Sequence, residues 1–306
     1  MSFKGKIVYS IYYRPLSWLK QVRQCGGIVN FILIEKGKKN MAKSAQKLHI
    51  KKPSKIDANV YFLTGKKFWP LTAFCMYSLV KVCNNTIRPV FIDDGTLDKE
   101  LIKKIKTQFP DSIVKTKEQI EVLVNELLPP LKYPHINKKR TIYPHIKKLT
   151  DIHVGSTGWK MVLDSDMLFF KHPTQVINWL KNPQQPFFLF DPICSYHYSI
   201  NLMEQLSGHT IVPNLNVGAV GLKSELINWD KLEQWIGQLE GKEGTSYLLE
   251  QALSAMLVAG QPILVADKME YIVMPDKQEA TRPTAILYHY VATSKQWYYK
   301  QAWKKV

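Results

Sequence analysis

Two aspartates one residue apart, Asp164 and Asp166, close the apolar run "KMVL" and directly precede "MLFF". Unpaired carboxylates are costly beside residues such as Leu163 and Met167. At the carboxyl end of a strand, where open α/β sheets bind ligands, such a pair can converge on one divalent cation once the chain bends. Mg2+ and Mn2+ take oxygen ligands and share their remaining positions with substrate phosphates. A turn capped by two aspartates is the alternative for the triplet alone. The segment "HYVATSKQW" adds His289 and Lys295. A neutral imidazole suits Mn2+ as a third ligand and an ammonium suits a phosphate, with packing and surface as the plain alternative.

Positioning these residues falls to an alternation of strands and helices. Strand "NVYFLT" (59 to 64) leads to a helix opened by Pro70 and running "LTAFCMYSLVKV", then strand "RPVFID" (88 to 93) and helix "LDKELIKKIKTQF". A weaker strand near Ser112 to Val114 and a helical stretch around 117 to 128 follow. Residues 129 to 158, rich in Pro, Lys and His, read as a long connection over the sheet's edge. "KMVLD" is a buried strand, "PTQVINWL" a short helix with Pro173 at its start, and "PFFLFD" and "NVGAVGL" are further strands. A helix runs from Ser224 to about Gln238, Thr245 is the expected N-cap of "SYLLEQALSAMLVA", and "PILVA" and "AILYHY" are short strands before a basic, aromatic tail. This rhythm predicts an α/β fold with a Rossmann-like, mostly parallel central sheet, helices on both faces and a small additional antiparallel element.

The 306 residues, 45% of them hydrophobic, suffice for a genuine core. Net charge is +17, and residues 1 to 55 hold thirteen Lys or Arg against one acid, Glu35. The expected organisation is a basic segment, 1–57, followed by a single domain, 58–306. Cations interleaved with "IVYSIYY" and "IVNFILIEK" suit peripheral contact with an anionic membrane, or an arm packed on the domain's edge. No nucleic-acid recognition motif accompanies the charge, so no nucleic-acid partner is expected. Without a stretch long enough to span a membrane or an evident signal peptide, the expected location is the cytoplasm, including the inner face of a membrane. Cys25, Cys75, Cys83 and Cys194 lack metal-type spacing and read as reduced, buried thiols.

The ordered motifs resemble a GT-A fold glycosyltransferase and are closest to family eight, which includes glycogenin and lipopolysaccharide glucosyl- and galactosyltransferases. That family has an Asp-x-Asp strand end, an Asn-x-Gly strand, an acidic-Gln helix and a C-terminal His-x-x-Gly-x-x-Lys-Pro-Trp. Here stand Asp164 and Asp166, then "NVG" from Asn216, then Glu250 and Gln251, then His289, Lys295 and Trp297. The likeness runs from about residue 58 to the C-terminus.

The resemblance implies transfer of a hexose from a nucleotide sugar, a UDP-sugar foremost, to a glycan, lipid-linked or small-molecule acceptor. It implies Mn2+ or Mg2+ held by Asp164, Asp166 and His289, with Lys295 on the diphosphate. Thr64 and Gly65 would meet the base and ribose, with Ser165 grouped among the donor-binding residues. Asn216 and Gly218 would lie near the donor sugar, Gln251 close to the anomeric carbon, and Glu250 on sugar or acceptor hydroxyls. Arg140, with Lys147 and Lys148, stands where the family places a basic residue. Asp93 and Asp94 in "VFIDDGTLD" stay open between nucleotide contact and a plain turn. They are no phosphoaspartate site of the haloacid-dehalogenase kind, because Ile92 holds the nucleophile's place. Ala292 and Gln296 replace the family's tail Gly and Pro, and Ala252 replaces a frequent carboxylate, which favours a front-face retaining mechanism over double displacement. Two rivals stand beside this reading: a sugar-phosphate nucleotidylyltransferase, for which "TGKKFWP" is a poor loop, and a non-catalytic basic binding protein of the same fold.

Overall fold

Alternate residues of a strand face opposite ways, so a sheet covered on both sides needs two sets of apolar side chains. The chain meets this requirement. On β4 (Trp159–Leu163), Met161 and Leu163 enter one buried cluster and Val162 the other. On β2 (Ile87–Asp93), Phe91 and the pair Val90 and Ile92 divide the same way. The computed structural model describes residues 14–51, 58–84, 86–194 and 196–306. The first thirteen residues and the expected boundary at 57/58 lie outside the described residues.

Among the described residues the main sheet has seven strands, in the order β3 (Ile113–Lys115), β2, β1 (Ala58–Thr64), β4, β7 (Leu215–Lys223), β6 (Phe187–Phe190), β8 (Leu264–Val265). β3, β2, β1 and β4 run parallel, β7 is antiparallel to both β4 and β6, and β8 is parallel to β6. A second sheet has the order β5 (Met167–Phe169), β10 (Leu287–His289), β9 (Tyr271–Val273), with β10 antiparallel to β5 and parallel to β9. The expected α/β architecture is therefore present.

Helices α1 (Arg14–Gln24), α2 (Ile28–Ala45), α3 (Trp69–Val82), α4 (Lys99–Gln108) and α5 (Lys117–Leu127) come first. Pro70 lies in the first turn of α3, the Asp98 carboxylate accepts from the Leu101 N–H at the head of α4, and Thr116 with Gln119 forms a capping box on α5. Next are α6 (Pro134–Ile142), α7 (Thr150–His153), α8 (Thr174–Lys181), α9 (Ile200–Ser207), α10 (Trp229–Glu243), α11 (Leu249–Leu257), α12 (Lys277–Thr281) and α13 (Lys295–Lys300). Met41 of α2, Phe74 of α3 and Tyr298 of α13 pack on one face of the sheet; Val124 of α5, Ile136 of α6, Trp235 of α10 and Leu253 of α11 pack on the other. No helix among the described residues is long and apolar enough to cross a membrane.

Four expectations need correction. Residues 129–158 are no edge connection: α6, a 3-10 turn at Pro144–Lys148 and α7 bury Ile136, Ile146, Leu149 and Ile152. Three short helices, two with proline in the first turn, break the apolar phase and leave no single period to read. The helix after β7 starts at Trp229, capped by Asn228, and Ser224–Leu226 is a separate 3-10 turn. α11 begins at Leu249 behind Leu248, so Thr245 is not its cap. All four cysteines are free, but only Cys75 and Cys83 are buried; Cys25 is half-buried and Cys194 exposed, so the expected burial fails for these two.

Candidate active site and metal centre

β1 and β4 sit side by side at the point where chain order along the sheet reverses, and ligands of open α/β sheets bind outside the carboxyl ends there. Asp164 follows the last residue of β4, and its N–H donates to the Gly218 carbonyl of β7 at 2.7 Å. The chain then leaves the main sheet and enters the small one at Met167, opposite His289 of β10. The Tyr290 N–H donates to the Asp166 carbonyl at 2.9 Å, fixing that register. Passage between two sheets thus supplies the bend that brings both carboxylates to one imidazole. His289 Nε2 lies 3.3 Å from Asp166 Oδ1 and 3.7 Å from Asp164 Oδ2, and ligand atoms of the three residues fall within 4.8 Å of one another.

The state of the imidazole follows from its neighbours. The Asn216 amide donates through Nδ2 to Asp191 Oδ2 at 3.1 Å and accepts the Gly218 N–H at Oδ1, 2.9 Å away. That oxygen also faces His289 Nδ1 at 3.1 Å, so Nδ1 carries the proton as the donor. Nε2 then presents a lone pair to the two carboxylates. It is buried without a hydrogen-bond partner, an arrangement unfavourable by itself and suited to a metal ligand. Two carboxylates and a neutral imidazole with its far nitrogen anchored fit Mn2+ or Mg2+.

Two ammonium groups balance the carboxylates. Lys295, the first residue of α13, reaches Asp166 Oδ2 at 2.7 Å. Burial opposes ionisation of Asp166, yet the Lys295 ammonium beside it outweighs burial and holds the carboxyl well below the usual carboxylate range. Lys148, from the 3-10 turn before α7, meets Asp164 Oδ1 at 2.9 Å, Glu250 Oε2 at 3.2 Å and the Val217 carbonyl at 3.3 Å. Burial alone would lower the Lys148 pKa, but the two carboxylates push it well above the ordinary lysine value. Glu250 is pushed up to about 7, because burial and the nearby Asp164 outweigh an ammonium it must share.

The remaining expected residues divide. Gln251 Nε2 donates to Asp191 Oδ2 at 3.0 Å, which joins Gln251 and Asn216 through one buried carboxylate. Thr64 and Ser165 are joined through Thr72, at 2.7 and 2.8 Å between hydroxyl oxygens. At Gly65 a Cβ would overlap the Asp94 carboxylate and Thr96, so the glycine admits that turn at the end of β1. Asp93 caps the turn itself, its Oδ1 accepting from the N–H groups of Gly95, Thr96 and Leu97 and its Oδ2 from Lys117. Asp94 accepts from Thr96, and its carbonyl from Lys147 Nζ. Arg140 is engaged with Asp151 at 2.7 Å and Glu121 at 2.8 Å, and it is Lys148 that meets Asp164. At Gly218, a Cβ would fall on the His289 imidazole, so the absent side chain makes room for the ligand ring.

Sequence reasoning passed over Asp191 and Thr72. Asp191 ends the apolar strand "PFFLFD" as Asp164 ends "KMVLD", so the same strand-end signal marks it. Thr72 gave no signal, being one helical residue among many. Tyr143, His145 and Tyr247 also gather here, with the His145 and Tyr247 rings 4.8 Å apart and the Tyr143 hydroxyl accepting from the Glu250 N–H at 3.2 Å. Ala292, at the place of the family's glycine, has φ 48°. Non-glycine residues in this region cost about 1 kcal/mol or more, which accounts for glycine there in the family pattern. Gln296, at the place of the proline, accepts from Asn30 of α2 at 2.9 Å.

An open α/β sheet with a second small sheet, and a strand-end carboxylate pair completed by a histidine from that second sheet, defines the GT-A class of fold. No protein-family model and no curated protein sequence matches the chain. Solved structures agree on the fold. The galactosyltransferase LgtC, in complex with donor and acceptor sugar analogues, matches with TM-score 0.51 and 14% identity over 76% of this chain and 86% of that one. Mouse xyloside xylosyltransferase 1 in its apo form matches with TM-score 0.51 and 13% identity over 76% and 97%. The bifunctional glycosyltransferase WbbM matches with TM-score 0.51 and 7% identity over 81% of this chain and 50% of that one.

Proposed function

We propose that the chain is a metal-dependent glycosyltransferase that moves a hexose from a nucleotide sugar, with UDP as carrier, to an acceptor hydroxyl with retention. The observation that carries this reading is the buried, unpartnered Nε2 of His289 facing Asp164 and Asp166 at the carboxyl edge of a GT-A sheet. Asp164, Asp166 and His289 would hold Mn2+ or Mg2+, which neutralises charge on the diphosphate oxygens. Asn216 keeps His289 in the tautomer that ligation requires. Lys295, already poised on Asp166, turns its ammonium to the diphosphate as negative charge grows there, the kind of stabilisation that carries most weight in such a transfer.

Asp191 supports the front-face course. Its Oδ2 accepts from both Asn216 and Gln251 and its Oδ1 from the Ile193 N–H, so the carboxylate is engaged in positioning the two amides and the loop that follows it. The acceptor hydroxyl then attacks the anomeric carbon on the face the diphosphate leaves, and a diphosphate oxygen takes the hydroxyl proton. On this reading Glu250 and Gln251, in the first turn of α11, would serve the sugar hydroxyls and the anomeric carbon.

The test is thermal unfolding with UDP, with and without Mn2+. Stabilisation by UDP only with the metal, abolished in Asp166→Ala, is the expected result. No shift with any nucleotide sinks the proposal.

A further inference from the structure

We propose that the hairpin of α1 and α2 is a docking surface for an anionic lipid bilayer. The two helices are joined at Gly26 and Gly27, whose φ angles of 78° and 111° lie in the region that favours glycine. Trp18 and Phe31 meet edge to face across the hairpin at 6.2 Å.

α2 carries two apolar faces. One holds Ile34, Gly37, Met41 and Ala45, all buried, with Gly37 against the Tyr299 carbonyl. The other faces outward: Ile28 is 44% exposed, Val29 70%, Ile32 56% and Leu33 49%, joined by Trp18 at 43% and Leu19 at 47%. At about 100° per residue, these four α2 side chains occupy an arc of roughly 140°. Lys36, Lys39 and Lys43, all exposed, continue the same arc toward the helix C-terminus. One helix face therefore passes from an apolar tip to a cationic stripe.

That gradient selects the occupant. An apolar tip enters the boundary between headgroups and acyl chains, while lysines beside it meet anionic headgroups. Residues 14–51 hold nine Lys or Arg and one acid, Glu35, which Lys38 pairs at 2.7 Å. The one carboxylate of the hairpin is thus offset by a neighbouring ammonium, and the cations far outnumber it. α2 is not long and apolar enough to cross a membrane, so it lies on one.

The surface is joined to the site. Asn30 donates to Gln296 at 2.9 Å and accepts from Lys300 at 2.5 Å, both on α13, whose first residue is the Lys295 bound to Asp166. Docking through α2 fixes the site relative to the bilayer. Combined with the proposed transfer, on which this clause rests, it selects a lipid-linked acceptor.

The experiment is co-sedimentation of the full chain with phosphatidylcholine vesicles and with vesicles that also contain phosphatidylglycerol, without substrates. Ile32→Glu with Leu33→Glu, and separately Lys36→Glu with Lys39→Glu, are compared with the unaltered chain. Binding to the anionic vesicles is expected to exceed binding to neutral ones, and each double variant is expected to lose at least about tenfold in partitioning at unchanged Tm. Full binding by the Ile32/Leu33 variant overturns the proposal. So does a dimer that dissociates in that variant, or RNA binding, without vesicle binding. Metal-dependent UDP stabilisation is read separately, so failure of the transferase reading leaves this result standing.

Discussion

Gly218→Ala isolates the link between strand packing and the metal centre. A Cβ built there falls on Cε1 and Nδ1 of His289, far inside the 3.4 Å of ordinary contact. The imidazole must retreat by about 1 Å, and it has little freedom to do so. Its Nδ1 is held by Asn216 at 3.1 Å, and its backbone is paired with Met167. Overpacking of this kind destabilises by about 1 to 3 kcal/mol, and misorienting a ligand typically costs about 10- to 100-fold in metal affinity. The assay is a calorimetric Mn2+ titration in the presence of UDP, beside a thermal melt. We expect a fold that survives with a Kd for Mn2+ raised at least about tenfold. An unchanged Kd would refute the reasoning, because it would mean that His289 does not bind the metal where the geometry puts it.

Two further outcomes concern buried charge. Lys148→Met leaves Asp164 and Glu250 without their shared ammonium, a loss of about 2 to 3 kcal/mol, moderated because Glu250 can take up a proton. Glu250 already titrates near 7, above its unfolded value of 4.5, so its contribution is complete at low pH and fades as pH rises through 7. The variant raises that pKa further and prolongs the fade, so denaturant unfolding should show a loss larger at pH 8 than at pH 6 by about 1 kcal/mol. A pH-independent difference would contradict this. His153 behaves oppositely: burial holds its pKa down at about 3 against 6.5 unfolded, so it stays neutral in the fold. Its stabilisation is present above about pH 6.5 and is lost on acidification, by about 2 kcal/mol between pH 7 and pH 5. Unfolding of His153→Gln at both pH values should lack this component of the acid loss.

Much of the fold was legible because its evidence is local. Apolar strands such as "NVYFLT" and "RPVFID" carry their own pattern, and Pro70 marks a helix start regardless of what packs on it. The stretch 129–158 was not legible, since three short helices leave no common phase. Its burial depends on the opposite face of a sheet that the stretch does not itself contain.

At the site, the sequence by itself determined the chemistry on offer: two carboxylates at a strand end, and a histidine and a lysine near the C-terminus. Only the tertiary structure decided how they meet. The antiparallel register of β5 and β10 sets His289 beside Asp166, although the two are more than a hundred residues apart. Asn216 and Gly218 fix the ring's tautomer and its space. The structure also decided that Lys148, and not Arg140, reaches Asp164, because Asp151 and Glu121 engage the guanidinium. The physical reason is the same in each case. Residue type and spacing reveal which groups can ionise or ligate, whereas proton position, ion-pair partner and burial depend on neighbours that folding brings from elsewhere in the chain.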